Sequence, residues 1–264
     1  MSSSRNSGVS GVSGRSGIEN IQNSIDRHCV GVTSRNAEVS GHSVIENIQD
    51  IIDRYCLDVS KPCVLEAGCG SSSHFRFPET ATLCGIDISE EQLSKNKILT
   101  EKIHEDLQTY STTKRYDMVI CWNVLEHLRN PEKALDNLLT WTKDDGIIII
   151  SVPNVLSVKG LITKFTPLWF HRLVYKYVFR YTKNKPFYAY MKLSMTPKSI
   201  LKKCNDHIIE YHNYQKTLLR KPYKYFYEFT IVLLKKLSFG KIHGDLSQFT
   251  VVIRKNIIED CTTN

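Results

Sequence analysis

Apolar positions along this chain change their period twice. At Val44, Ile45, Ile48, Ile51, Ile52 and Tyr55 they recur at helical spacing, which predicts a helix with one apolar face. From Cys63 the pattern changes to short apolar runs that read as strands. These are Cys63–Ala67, Ala81–Asp87, a brief one near Lys102–His104, Tyr116–Trp122 and the GIIIISV run after Asp144 and Asp145. Isoleucine fills Ile147 to Ile150, so that strand is expected to be covered on both faces, as in a parallel sheet.

Helical stretches lie between these runs. Ser89 can cap a helix over Glu90–Leu99, and Pro131 suits the first turn of one reaching Thr142. Between Ser71 and Thr80 there is room only for a short helix, limited by Pro78. Asp144, Asp145 and Gly146 predict a turn into the isoleucine strand. After Pro153 the alternation pauses in an aromatic, basic stretch to Tyr190. It resumes with a helix over Pro197–Cys204, a strand over Ile208–Tyr214, a helical insertion over 216–240 and a last strand over Gln248–Arg254. The whole predicts an α/β fold with helices on both faces of a mostly parallel sheet.

Residues 1–42 are rich in Ser, Gly and Asn, and are expected to form a disordered tail. The tail carries a duplication: Ser13–Cys29 returns 27 residues later as Ser40–Cys56. In the first copy Ser24 stands where the second has Ile51, which weakens its apolar face. The expected layout is one domain over 43–256, with a lid at 154–190, a basic insertion at 216–240 and a tail at 257–264.

Charge changes the picture more than composition does. The chain has 264 residues and a net charge of +8, yet residues 156–240 hold 17 Lys and Arg against 3 Asp and Glu. The remainder is net acidic, so the basic segment is expected to meet an anionic partner, such as a membrane surface, or to be a solvated face. No apolar run approaches the roughly 18 residues that span a bilayer, and the N-terminus has no apolar signal core. A cytoplasmic protein is the expectation. The eight cysteines include no C-x-x-C pair, so free thiols are expected and a metal site is not.

Candidate chemistry centres on CVLEAGCGSSS, Cys63 to Ser73. Gly68 and Gly70 form a turn at a strand end, where a ligand can approach bare backbone. Asp87 follows Gly70 by 17 residues, at the end of the next strand, where a carboxylate can accept from ribose hydroxyls. Asn123 ends the strand at Trp122 and faces the same crevice. His127, after Glu126, suits either a general base or a structural histidine holding its loop.

Glu66-Ala67-Gly68-Cys69-Gly70, Asp87 and the run Trp122 to His127 resemble class I S-adenosylmethionine-dependent methyltransferases, the small-molecule type with GCG and VLEH motifs. The resemblance covers about Val64 to Asn154 and extends weakly to Arg254. It implies a Rossmann-like, seven-stranded sheet with one antiparallel strand. It implies that Glu66, Gly68, Cys69, Gly70, Asp87, Ile88, Asp106, Leu107 and Asn123 bind S-adenosyl-L-methionine, and that His127 acts on an acceptor. Trp169, His171, Tyr175, Tyr188 and Tyr190 are the candidate acceptor-side residues, and the acceptor itself would be a small or lipid-like molecule. Ser72 stands where the family has a third glycine. Rival readings are a non-catalytic cofactor- or partner-binding module, an RNA methyltransferase served by the basic segment, and a nicotinamide dehydrogenase. The last would show G-x-G-x-x-G opening a long helix, which Ser71-Ser72-Ser73 and Pro78 oppose.

Overall fold

A computed structural model describes residues 41–167, 169, 188–204, 208–214, 223–237 and 247–255. The first copy of the duplication, His171, Tyr175 and most of the expected tails lie outside the described residues.

The elements are α1 (Gly41–Asp58), β1 (Cys63–Ala67), β2 (Thr82–Asp87), α2 (Glu90–Lys95), β3 (Glu101–His104), β4 (Tyr116–Trp122), α3 (Pro131–Trp141), β5 (Thr142–Pro153), α4 (Val158–Phe165), α5 (Pro197–Lys203), β6 (Ile208–Tyr214), α6 (Tyr223–Leu237) and β7 (Gln248–Arg254). The strands form one sheet in the order β3-β2-β1-β4-β5-β7-β6. β3, β2, β1, β4 and β5 pair in parallel, and β7 runs antiparallel to both β5 and β6. The strand order reverses beside β1, so the carboxyl ends of β1 and β4 open a crevice.

Strand residues alternate between two apolar layers. Val64, Met118, Ile120, Ile147, Ile149 and Val252 face α1, whose Val44, Ile48 and Ile52 are fully buried. Leu65, Val119, Cys121, Ile148, Ile150 and Val251 face the opposite layer, with Ala134, Leu135 and Leu138 of α3 and Ile200 and Leu201 of α5. Burial on both faces is what the four isoleucines required. Six cysteines, at 56, 63, 69, 84, 121 and 204, are free thiols.

Three local expectations fail. No helix forms between Ser71 and Thr80, where the chain makes turns and bends. Its main chain is instead held from outside: the Gln49 amide of α1 donates to the Arg76 carbonyl at 2.9 Å and accepts from the Arg76 N–H at 2.9 Å. α2 stops at Lys95 instead of Leu99, because Asn96 leaves the helix at ψ 107° and its N–H closes back on Gln92 and Leu93. Asp144-Asp145-Gly146 is no hairpin-like turn but a bulge inside β5. Asp145 adopts φ 62°, and the β4 pairing shifts between Tyr116 and Met118. Backbone bonds from Asp145 N to Lys255 O and from Lys255 N to Gly146 O hold the bulge in the sheet.

Candidate active site

The glycine turn is fixed by geometry that side chains resist. Gly68 has φ 72°, and a Cβ there would come within 2.4 Å of Val124 Cγ2. Gly70 has φ 55°. The Gly68 and Cys69 N–H groups both donate to Ile86 O of β2, at 2.7 and 3.2 Å. The Gly70 N–H donates to Asp87 Oδ2 at 2.9 Å, while Asp87 Oδ1 accepts from the Ser89 N–H at 2.8 Å. Asp87 therefore ties the turn after β1 to the start of α2, and its carboxylate keeps further lone pairs for a ligand. Ile88 beside it is 70% exposed, an apolar surface at the rim of the crevice.

Glu66 lies inside this turn, 5% exposed. Ser73 Oγ donates to its Oε1, whereas Oε2 is buried and has no protein partner. Burial pushes the Glu66 carboxyl up to about 7, and the Ser73 hydrogen bond opposes that shift. A buried carboxylate oxygen without a partner is costly unless something accompanies it. Glu66 lines a small hollow with Gly68, Ser72, Phe75, Ile120 and Trp122. Phe75 packs edge-on against Trp122 at 5.0 Å, which closes the hollow's apolar side.

Cys69 belongs to the scaffold. Its buried Sγ would lie 2.7 Å from a Cβ on Gly85, and burial, with the nearby Asp87 and Glu66 charges, pushes the thiol up to about 12. Its contribution to a ligand is thus limited to main chain. The Leu107 side chain is likewise buried in the α3 layer. Asp106 closes its own turn, accepting from the Gln108 N–H at 2.8 Å and from the Gln108 amide.

The expected acceptor side draws on distant parts of the chain. Asn123 takes φ 56° as β4 ends, and its N–H donates to Ser151 O at 2.8 Å. Asn123 Oδ1 accepts from the Gln248 amide, which also donates to Ser151 Oγ at 3.0 Å, and Thr250 Oγ1 donates to the same oxygen at 2.9 Å. Leu125–His127 forms a 3-10 turn. His127 Nδ1 lies 2.7 Å from Tyr188 O, and the Tyr190 N–H donates to Glu126 O at 2.8 Å. Arg129 Nε donates to Tyr190 Oη at 2.9 Å, and the Tyr188 and Tyr190 rings meet edge-on at 4.7 Å. Because a carbonyl only accepts, His127 Nδ1 carries the proton of that bond. Nε2 is then the basic nitrogen, 3.8 Å from Glu126 Oε1. Trp169 is 65% exposed.

Two contributions have no signature in the sequence pattern. The Gln49 grip on Arg76 carries the 71–80 stretch, including Ser73, to Glu66. The Gln248–Ser151–Thr250 network sits behind Asn123. A helical polar residue facing a sheet and a glutamine opening a strand are the only hints of them.

Comparison with known proteins decides the family. The methyltransferase domain profile matches residues 40–187, more than half of the chain. The chain belongs to the methyltransferase domain family. It is of the class I, S-adenosylmethionine-dependent kind, and S-adenosylmethionine is its cofactor. The unpartnered Glu66 oxygen and the Asp87 carboxylate fit that cofactor's ammonium and ribose groups in chemical type, and the bare backbone at Gly68 and Gly70 leaves room beside them. No helix begins at the glycine turn, so no helix N-terminus faces a pyrophosphate as a dinucleotide site requires.

Among similar proteins, a ubiquinone biosynthesis O-methyltransferase of Rickettsia typhi is 30% identical over 106 residues, covering 37% of this chain and 43% of that protein. The (S)-coclaurine N-methyltransferase of Papaver somniferum is 27% identical over 99 residues, covering 33% and 28%. An S-adenosylmethionine-dependent methyltransferase of Clostridium acetobutylicum superposes with TM-score 0.49 at 11% identity, covering 81% of this chain and 92% of that one. The chain spans less than half the length of the curated relatives it matches.

Proposed function

We propose that this methyltransferase moves a methyl group from S-adenosylmethionine to a small or lipid-like acceptor at the carboxyl ends of β1 and β4. The observation that carries the reading is the buried, unpartnered Oε2 of Glu66 inside the glycine turn. The names of the relatives, an O-methyltransferase of ubiquinone biosynthesis and an N-methyltransferase, support a small acceptor.

The cofactor supplies an electrophilic methyl on a sulfonium; the acceptor's lone pair bonds the methyl carbon as the sulfur–carbon bond breaks, leaving S-adenosylhomocysteine. Glu66 receives the ammonium through charge-assisted hydrogen bonding. The turn at Gly68 and Gly70 offers backbone to the methionine end, and Asp87 orients the ribose. Ile88, with Asp106 and the Leu107 main chain, bounds the adenine. Trp122 and Phe75 exclude water beside Glu66. The leaving group needs no acid, so alignment does most of the work. Where the acceptor must lose a proton, His127 Nε2 takes it, with Nδ1 steadied by the Tyr188 carbonyl.

Titration with S-adenosylhomocysteine tests the cofactor half of this reading, and absence of binding would overturn it. Labelled S-adenosylmethionine with fractionated cell extract tests the rest. Label is expected in a small-molecule or organic-soluble fraction. Label in RNA would move the acceptor to nucleic acid, and homocysteine-analogue binding with no label anywhere would make the chain a binding module.

A further inference from the structure

α6 presents its apolar side outward. Phe229 is 64% exposed, Leu237 67%, Val232 52% and Leu233 43%, whereas Ile231 is 8% exposed. At about 100° per residue those four side chains occupy an arc of about 140°, and Ile231 lies roughly opposite its centre. The helix therefore buries Ile231 on one side and shows large aliphatic and aromatic groups on the other. Lys236, also exposed, falls within the same arc. Single exposed apolar residues need no explanation, but a contiguous stripe along one helix does.

Charge along the sequence, with Lys236 inside the arc, points to the occupant. α6 belongs to the segment 156–240, whose sequence holds 17 Lys and Arg against 3 Asp and Glu. A second copy of the chain would bring the same positive segment against itself. Nucleic acid would gain its phosphate contacts but would find Val232, Leu233 and Leu237 useless for stacking. A membrane with anionic lipid satisfies both features, with apolar side chains entering the acyl boundary and lysines meeting phosphate. No helix among the described residues is long and apolar enough to cross a membrane, so contact would be from the surface.

We propose that the outward face of α6 is a docking surface for an anionic lipid bilayer. The inference stands apart from the methyl-transfer reading and survives or fails without it. The full chain would be sedimented with phosphatidylcholine vesicles, and with vesicles containing about one-third phosphatidylglycerol, at low and moderate salt. Binding to the anionic vesicles, little to the neutral ones, and weakening as salt rises are expected. The double variant Phe229→Ser, Leu233→Ser should bind about tenfold more weakly or worse, with unchanged thermal melting and unchanged S-adenosylhomocysteine affinity. Should that variant fail to fold, Lys236→Glu alone should weaken vesicle binding and flatten its salt dependence. The proposal is overturned by equal binding to both vesicle types, by no binding to either, or by variants that bind like the wild type. A dimer in solution that the double variant abolishes would also overturn it, by assigning the stripe to a second copy.

Discussion

The two sides of the crevice are assembled over different distances along the chain. On the cofactor side, Ser73 reaches Glu66 across 7 residues and Gly70 reaches Asp87 across 17. On the acceptor side, His127 meets Tyr188 across 61 residues and Gln248 meets Asn123 across 125. The first side is joined by contacts between parts close in sequence, on and after the adjacent strands β1 and β2. The second depends on strands and a strap that arrive from far away. Short-range construction would suit the proposed grip on the cofactor. Long-range construction lets the acceptor side change without disturbing that grip.

Asp87 offers the sharpest way to break this contrast. Asp87→Ala removes both the proposed ribose acceptor and the anchor of Gly70, so S-adenosylhomocysteine affinity should fall about 30- to 1000-fold, equivalent to about 2–4 kcal/mol. Asp87→Asn brings only partial relief. The carboxylate accepts from Gly70 and Ser89 with different oxygens, and the amide NH2 must face one of those two N–H groups. Calorimetric titration of all three proteins provides the measurement. Wild-type affinity in Asp87→Ala would show that the cofactor grip is not built there.

Glu66 sharpens the contrast through pH. Its folded carboxyl stands at about 7, above the ordinary value near 4.5. The free protein therefore loses stability from this group as pH rises through that window, because the folded state holds the proton more tightly than the unfolded one. Ligand binding runs the other way, since the ammonium requires the ionised form. Affinity should rise with pH up to about 7, by at most about tenfold per unit, and then level off. Glu66→Gln should bind more weakly at pH 8 and lose the slope, and a slope that persists in the variant would move its origin elsewhere.

Gln49 tests whether the local side is local enough. Gln49→Leu keeps the apolar face of α1 but frees both main-chain groups of Arg76, and with them the stretch that carries Ser73 to Glu66. About three- to tenfold weaker S-adenosylhomocysteine binding is expected, in line with one or two lost hydrogen bonds. Unchanged affinity would show that the 71–80 stretch holds its shape without α1.

The smallest effect belongs to the acceptor side. Tyr190→Phe removes only the exposed hydrogen bond from Arg129 and should leave S-adenosylhomocysteine affinity within about twofold and the melting temperature nearly unchanged. A large loss of cofactor affinity would join the two sides that the structure separates.

Legibility followed the same divide. The strands Cys63–Ala67, Tyr116–Trp122 and Gln248–Arg254 are legible because apolar runs with both faces buried admit few other conformations. Gly68, Gly70 and Asp87 were readable because a tight turn and a strand-end acid leave a spacing in sequence. The missing helix after Ser71 was not readable, since what fixes that stretch is an amide on α1, remote in sequence from Arg76. The Asp144–Gly146 bulge was mistaken for a turn because its composition is turn-like. Its outcome depends on Arg254 and Lys255, which pair with Asp145 and Asp144 at 3.1 and 3.2 Å. The place of Asn123 at a strand end is legible, but its link to Gln248 is not, because polar partners across strands carry no periodicity.

The placement of β7 bears on how the protein is made. β5 pairs with β7 from Ile147↔Arg254 to Pro153↔Gln248, and among the described strands β7 alone joins β6 to the sheet. During synthesis at the usual 5–20 residues per second, the β5 edge waits roughly 5–20 s after Ile147 is joined before its partner has been translated. Through that interval a strand of consecutive isoleucines presents an unpaired border, the kind of surface that aggregates or recruits chaperones. Gln248 and Thr250 ride on the same late strand, so a nascent chain gains its glycine turn early and the support behind Asn123 last.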